Sequence, residues 1–484
     1  MNLTKALSNA VTGLQASGRG TETVASNLAN IMTPGYARRE MSVSSQSWSG
    51  GVGGVQVNGV NRIVNDTLVA ENRSAGAAKA GAEIQAKFLA SMEQLVGVPG
   101  EAGSLGSALG DFQTALISAA TRPDEDVRLA NVVSSASTLV RRLNSIGDGI
   151  QAARTAADHQ IAADVANLNT DLERVADLNR RISSLSGSGV ETLSMEDERQ
   201  AIIDRISTIV PVQQIERPGN KLALFATGGT MLLDGSQPTR FEFTAAGKIS
   251  ADMTVENGQL GLLSVNGQQV SPTRMAMLGG GSLTASFRVR DELAPQLQRE
   301  VDAIALDLND RLSSDQVDPT LQGKPGLFTD DGALALAAQM DGLASRIRVN
   351  AAVDPTSGGD LWKVRDGLGA TDQGSVGDGS LLHRISGALT DARPMADTSI
   401  FSGLGGFDDF SGQFSSRLGS RRVSADSDLA VRNARATTLS TRLMAEGVDS
   451  DVEMRRLLQY EHAYSANAKV IQTIDDMLRT LLSI

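Results

Sequence analysis

A chain of 484 residues with 41% hydrophobic content is long enough for two or three domains with cores of their own and too apolar for a disordered protein. Its 44 Lys and Arg stand against 56 Asp and Glu, a net charge of -12, which argues against nucleic acid and disfavours anionic membrane surfaces as partners because phosphate contacts need clustered cations. The complete lack of cysteine rules out disulfides, thiolate metal sites and cysteine nucleophiles, and it suits a chain that travels unfolded through a narrow channel. Before Arg19 the only side-chain cation is Lys5 and no apolar stretch is uninterrupted, so the chain reads as lacking a secretory signal and a membrane-inserted segment. By that rule alone it is a cytoplasmic protein.

At the N-terminus Leu3, Leu7, Ala10, Leu14, Ser17, Thr21, Val24, Leu28 and Ile31 recur at alternating steps of four and three, which predicts a helix with a narrow seam made to meet other helices. The seam is weak: three of its positions are small or polar, and Gly13, Gly18 and Gly20 each cost up to ~1 kcal/mol in helix propensity relative to alanine. Such a helix is expected to need a partner. Pro34 biases Thr33 away from helix and, with Gly35, supplies the centre of a type II turn, so the helix is predicted to end near Met32. The glycine-rich run Gly50–Gly59, with its alternating valines, predicts a short strand or hairpin; it lacks the Gly-Lys-Ser/Thr ending of a phosphate-cradling loop.

Helical pattern runs from about Asn61 to Val96 and, after a glycine-punctuated break, resumes at Pro123, where Asp124, Glu125 and Asp126 favour a helix start. A heptad holds from Leu129 to Ala157 and, after a phase slip, from Ile161 to Val175, predicting a very long rod-like helix or hairpin that ends at Gly187-Ser188-Gly189. Residues from roughly 210 to 285 read as strands: Leu222–Thr227 and Thr230–Leu233 around Gly228-Gly229 make a hairpin, and Asn257-Gly258 and Asn266-Gly267 mark two more turns. Helical period returns with Leu293, Leu297, Val301, Ile304 and Leu308, followed by a loop-rich segment to about 420. The C-terminal seam, Leu457, Tyr460, Tyr464, Asn467, Ile471, Ile474, Leu478 and Leu481, mirrors the N-terminal one, and its polar Asn467 is a device that fixes register at some cost in stability.

The expected fold is therefore α+β and multidomain, with long helical coiled-coil and rod-like regions built from both chain halves around an inserted β-rich domain. The boundaries read as 1–59 for the terminal helix and turn, 60–195 for the long helices, 196–288 for the β-rich domain, 289–320 for the returning helix, 321–420 for a mixed segment and 421–484 for the C-terminal helices.

Candidate chemistry is sparse. Paired catalytic acids must face one cleft, whereas adjacent Glu196, Asp197 and Glu198 after a glycine-rich turn read as a solvated helix start. His159, His383 and His462 are far apart and show no ligand spacing, and Tyr460 and Tyr464, four apart on a seam, read as packing residues. Arg141-Arg142 and Arg421-Arg422 read as solvated charges or local ion pairs. No catalytic, cofactor or metal residue is assigned.

At the two ends the residues carry a resemblance. Val24-Ala25-Ser26-Asn27-Leu28-Ala29-Asn30-Ile31-Met32-Thr33-Pro34-Gly35-Tyr36-Ala37-Arg38 resembles the N-terminal signature of flagellar rod, hook and hook-associated proteins, and Ala463–Asp475 resembles the matching C-terminal signature. Inside the chain, Leu109–Leu116 followed by Pro123 and Arg128, then Leu178–Ile182, Asp197-Glu198-Arg199-Gln200, Leu293–Ala305 and Gly326-Leu327-Phe328 are similar to segments of the hook-associated members that form the hook-proximal side of the hook-filament junction. One departure is Asp449-Ser450-Asp451-Val452-Glu453, where those members often carry Asp-Glu-Glu.

The resemblance implies a structural subunit without chemistry. It implies copies arranged in a ring at the distal end of the hook, touching the hook protein on one side and a second junction protein or the filament on the other. It also implies passage through the flagellar type III export apparatus with a cytoplasmic chaperone on the C-terminal region, an extracellular location without a cleaved signal, and terminal segments that become helical only on assembly. A hook or distal-rod subunit shares both signatures but is mainly β-rich between them; a cytoplasmic coiled-coil scaffold would stay in the cell.

Overall fold

The computed structural model describes residues 3–33, 35–48, 51–98, 100–186 and 192–482; Pro34, Gly50 and the Gly187-Ser188-Gly189 stop lie outside them. The chain opens with helix α1 (Leu3–Ala29), which stops short of the expected Met32, and continues into an antiparallel ribbon of β1 (Arg38–Trp48) and β2 (Gly51–Ile63). That ribbon corrects two expectations. It is longer than a short hairpin, and β2 occupies the stretch after Asn61 that was read as helix.

Helix α2 (Asp66–Val96) starts where the Asn65 side chain accepts from the Leu68 amide at 3.1 Å, an N-cap. A helix that the sequence reading passed over as a glycine-punctuated break, α3 (Leu105–Thr121), is capped by Ser104 and buries Leu105, Leu109, Phe112 and Leu116. Gly106 and Gly110 hid it: they sit on its open face, where a Cβ would meet nothing within 4 Å.

Helix α4 (Asp126–Ser186) is one uninterrupted run of 61 residues, about 90 Å long at 1.5 Å per residue. Its first half supplies Leu129 to Ile150 to one core, and its second half supplies Ile161 to Ile182 to another. The phase slip lies where the helix passes between the cores. There Asp158, with no exposed surface, accepts from Arg290 Nη1 at 2.6 Å and from the Ala246 amide at 2.7 Å, and the Arg290 guanidinium lies over the Phe243 and Phe287 rings. A buried charge persists only when it is paired in this way.

Helix α5 (Leu193–Ile209) precedes a meander of β3 (Val212–Arg217), β4 (Lys221–Ala226), β5 (Met231–Asp234) and β6 (Gln237–Pro238), so the expected domain boundary at 196 falls inside a helix. The Leu222–Leu233 hairpin forms as expected. A second small sheet joins β7 (Phe241–Glu242), β8 (Ser264–Val265) and β9 (Gln268–Gln269), its turn made by Asn266 and Gly267 at φ 49° and 78°, the positive pair a type I′ turn requires. Both sheets lie against the second half of α4, where buried Asn179 bonds the Leu222 amide and carbonyl.

The chain then returns through α6 (Gly281–Arg288), a π-helical segment (Val289–Leu293) and α7 (Ala294–Leu312) into the first core. The mixed segment contributes β10 (Phe328–Asp330), α8 (Leu343–Arg346), β11 (Ile347–Val349), α9 (Lys363–Asp366) and α10 (Ser380–Thr390). Helix α11 (Phe407–Ala445) begins before the expected boundary at 421, driving Phe407, Phe410, Phe414 and Leu418 into the first core before running along α2, where Leu439 meets Leu68 and Ala75. Arg421, expected to be a solvated or locally paired charge, makes a two-pronged bond to Glu300 on α7 at 2.6 and 3.1 Å. The chain closes with α12 (Ser450–Leu482).

Candidate assembly surface at the chain ends

Helices α1 and α12 pack on each other antiparallel, in a register that the contacts themselves state. A Cβ on Gly13 would lie 2.7 Å from Asn467 Nδ2, a Cβ on Gly20 would lie 2.5 Å from the Tyr460 ring, and the Asn27 amide donates to Glu453 Oε2 at 3.1 Å. Positions 13, 20 and 27 step forward by seven as 467, 460 and 453 step back by seven, so these are successive layers of one antiparallel heptad pair. The glycines that weaken α1 as an isolated helix are the notches that admit Asn467 and Tyr460. The Ser17 and Thr21 hydroxyls are satisfied on their own helix, Ser17 donating to the Gly13 carbonyl at 2.9 Å and Thr21 to the Ser17 carbonyl at 3.0 Å.

The expected seam maps onto this geometry in part. Val24 and Ile474 are buried; Leu3, Leu7, Leu14 and Leu28 on α1, and Leu457, Tyr460, Asn467 and Ile471 on α12, are partly buried. Ile31, Tyr464, Leu478 and Leu481 stay exposed, at 43%, 47%, 38% and 61%. The most buried arc of α1 passes instead through Ala10, Ala16, Ser17, Gly20, Thr23, Val24 and Asn27, rotated from the leucines. The signal that could have found it is the pairing of Gly13 and Gly20 with Asn467 and Tyr460 at one shared spacing of seven.

The signature residues form the node at the base of this pair. Asn27 is fully buried and completely satisfied: Nδ2 donates to the Arg39 carbonyl at 2.9 Å and to Glu453, while Oδ1 accepts from the Tyr36 hydroxyl at 2.8 Å and the Arg39 amide at 2.9 Å. Asn30 closes the helix end, donating to the Ser26 carbonyl at 2.9 Å and accepting from the Thr33 hydroxyl at 3.2 Å. The Arg39 guanidinium lies 5.0 Å from the Tyr36 ring centroid, and burial pushes the Tyr36 phenol above its ordinary value. Glu453, wholly buried, leans on Arg456 at 3.7 Å, and Arg456 reaches Glu40 on β1 at 3.5 Å.

Below the node the ribbon docks on α5, which corrects the reading of Glu196, Asp197 and Glu198 as a solvated helix start. Only Glu198 behaves so, in an exposed pair with Arg174. Asp197 is 9% exposed; its Oδ1 accepts from Arg62 Nε at 2.8 Å and the Ala37 amide at 3.2 Å, and its Oδ2 from Arg39 Nη2 at 3.3 Å. Glu196 accepts from the Thr192 hydroxyl at 2.7 Å and lies 3.6 Å from Arg62. Gly35, at φ 80°, brings the backbone so close that a Cβ there would lie 2.9 Å from the Ala201 Cβ. Arg199, on the opposite face of α5, is buried against Asn179 and Asn220, and burial lowers its pKa to about 10.

The buried and partly buried carboxylates here are engaged by arginines, a backbone amide, and the Asn27, Thr192 and Asn220 side chains. His159, His383 and His462 are exposed, and among the described residues no group of three or more histidines and carboxylates could hold a metal ion. No helix of the described residues is long and apolar enough to cross a membrane.

Known proteins resemble the chain end to end. Residues 89–327 match the helical domain of flagellar hook-associated protein FlgK, residues 7–36 the flagella basal body rod protein family and residues 440–484 the C-terminal region of the flagellar basal body rod FlgEFG proteins. The chain is 21% identical to flagellar hook-associated protein 1 of Bacillus subtilis over 99% of its own length and 97% of that protein. With flagellar hook-associated protein 1 of Salmonella typhimurium it shares 23% identity over 99% of both chains. The solved structure of the flagellar hook junction protein FlgK from Burkholderia pseudomallei aligns with a TM-score of 0.45 and 19% identity, over 54% of this chain and 46% of that one. With both terminal signatures at their own ends and the helical-domain match between them, the chain is similar along its whole length to flagellar hook-associated protein 1, and it is a structural subunit of the bacterial flagellum at the hook-filament junction.

Proposed function

We propose that this subunit adapts hook to filament by lining up copies of itself in a ring, each contributing α1 and α12 as one antiparallel pair along the tube axis. A helix of about 30 residues spans roughly 45 Å of that axis. The observation that carries the reading is the three-layer register of α1 on α12, which organises one apolar flank and leaves Tyr464, Val470, Met477, Leu478 and Leu481 on α12 exposed. A soluble protein rarely leaves such a row open unless another surface covers it. In this reading Leu3, Leu7, Leu14, Val24, Leu28 and Ile31 and the α12 seam are the assembly residues, and the hook protein, the second junction protein or filament side, the type III exporter and an export chaperone are the partners.

The protein acts without chemistry, and its site is extracellular, reached through the flagellar channel without a cleaved signal. The marginal propensity of α1 fits termini that fold only on assembly. The test is deletion of the gene in its host, with electron microscopy of the cells and assay of flagellin in the medium. Hooks without filaments and flagellin lost to the medium are expected; absent hooks would point to a rod or hook subunit, and intact filaments would refute the flagellar junction role.

A further inference from the structure

Two stretches that are far apart in the sequence, Gly35–Arg39 after the first helix and Asp197–Gln200 on α5, meet in space at the Asp197 carboxylate. Resting on the reading that the termini order on assembly, we propose that Asp197 is a positioning residue for the junction: it sets the angle at which the unit of α1, the ribbon and α12 leaves the body of the subunit.

Three features argue for orientation over simple stability. The donors come from three separate points of the terminal unit, Ala37, Arg39 and Arg62, and converge on two oxygens, which fixes a direction as a single bond cannot. Arg39 Nε and Arg62 Nη2 are buried without a hydrogen-bond partner, so the clasp concentrates desolvated charge, an arrangement weak in net stabilisation and strong in geometry. The close approach of Gly35 to Ala201 and to the Asp197 carbonyl, the latter 3.2 Å from a Cβ at residue 35, leaves little room for the ribbon to pivot. Two residues further along α5, Arg199 points the other way into the Asn179 and Asn220 contacts of the β-bearing half. One helix therefore joins the terminal unit on one face and the β-bearing half on the other.

The test uses the full chain expressed in cells lacking the native copy. Asp197→Ala is expected to reach the medium at the wild-type level and, purified, to melt at the wild-type temperature, because the clasp closes only on assembly. It should nonetheless leave at least about tenfold fewer filaments per cell, the cost of a misplaced docking angle worth one decade in incorporation. Asp197→Glu, which keeps two acceptor oxygens, should restore most filaments, and Arg62→Ala, which opens the clasp from the other side, should reproduce the loss. Wild-type filament numbers in Asp197→Ala would overturn the proposal, and so would a lowered melting temperature of the purified subunit, which would make Asp197 a stabiliser of the body. If Asp197→Ala is degraded before export, the Arg62→Ala arm decides on the same criteria. The deletion strain reports separately on the underlying reading: filaments growing without the gene refute the junction role itself, whatever the point variants do.

Discussion

Asn27→Leu is expected to abolish filament growth while leaving hooks intact. The substitution keeps side-chain size but replaces a polar amide with an apolar group, removing two donors and an acceptor that serve four partners inside a fully buried node. It strands the Arg39 amide and carbonyl, leaves the Tyr36 hydroxyl only the Ser26 hydroxyl at 3.3 Å, and takes the hydrogen bond from the Glu453 carboxylate, whose Oε1 already has no hydrogen-bond partner and leans only on Arg456. Each buried polar group left unpaired costs about 1–3 kcal/mol and a charged one more, so the total is on the order of 5 kcal/mol. A terminal pair notched by glycines has no such reserve. Glu453→Gln keeps an oxygen for the Asn27 amide and is expected to retain most filaments. Counts of filaments per cell, with the secreted amount of each variant as control, check the pair; normal filaments in Asn27→Leu would show that the node is dispensable.

Ile474→Asp is expected to be as severe from the other helix. Ile474 is 5% exposed on α12, the most deeply buried apolar residue of that helix, and an uncompensated buried carboxylate costs roughly 3–5 kcal/mol. Leu481→Asp separates two surfaces. At 61% exposed, Leu481 contributes little to the subunit's own packing, so the variant should leave the α1–α12 pair intact yet block incorporation if that face meets a neighbouring copy. Filament counts beside proteolytic protection of the assembled termini distinguish the outcomes; full incorporation of Leu481→Asp would mean that the exposed face of α12 looks onto solvent.

The long α4 was legible because its heptad runs from Leu129 to Val175 with a single phase slip and its buried stripe falls on the heptad positions read from the sequence. The Leu222–Leu233 hairpin was legible through its turn chemistry. Helix α3 was not, because the glycines that read as punctuation occupy its open face; β2 was legible as a strand up to Gly59 but not in its last residues, 61–63, which were read into the helix that follows. The terminal seam was legible as a pair of helices but not in its rotation. Heptad reading rewards large apolar residues, whereas the close approach of α1 to α12 is made by small ones, Gly13 and Gly20, whose value appears only when Asn467 and Tyr460 are set opposite. Asp197 was misread for a related reason: an acidic helix start is ordinarily solvated, and the arginines that bury this one come from residues 39 and 62, which no local pattern connects to it.

The most direct measurement is a cross-link between the two chain ends. The protein contains no cysteine, so Gly13→Cys with Asn467→Cys places a single thiol pair at a contact where the residue 13 Cβ lies 3.0 Å from the residue 467 Cγ, and removing the asparagine relieves the crowding. Under mild oxidation, isolated hook-filament junctions are expected to yield an intrachain disulfide in this variant, seen as a faster-migrating monomer, whereas the free secreted subunit should yield little because its termini have not paired. Intersubunit ladders in the junction, or an equally cross-linked free subunit, would contradict the account of α1 and α12 as one antiparallel unit that closes on assembly.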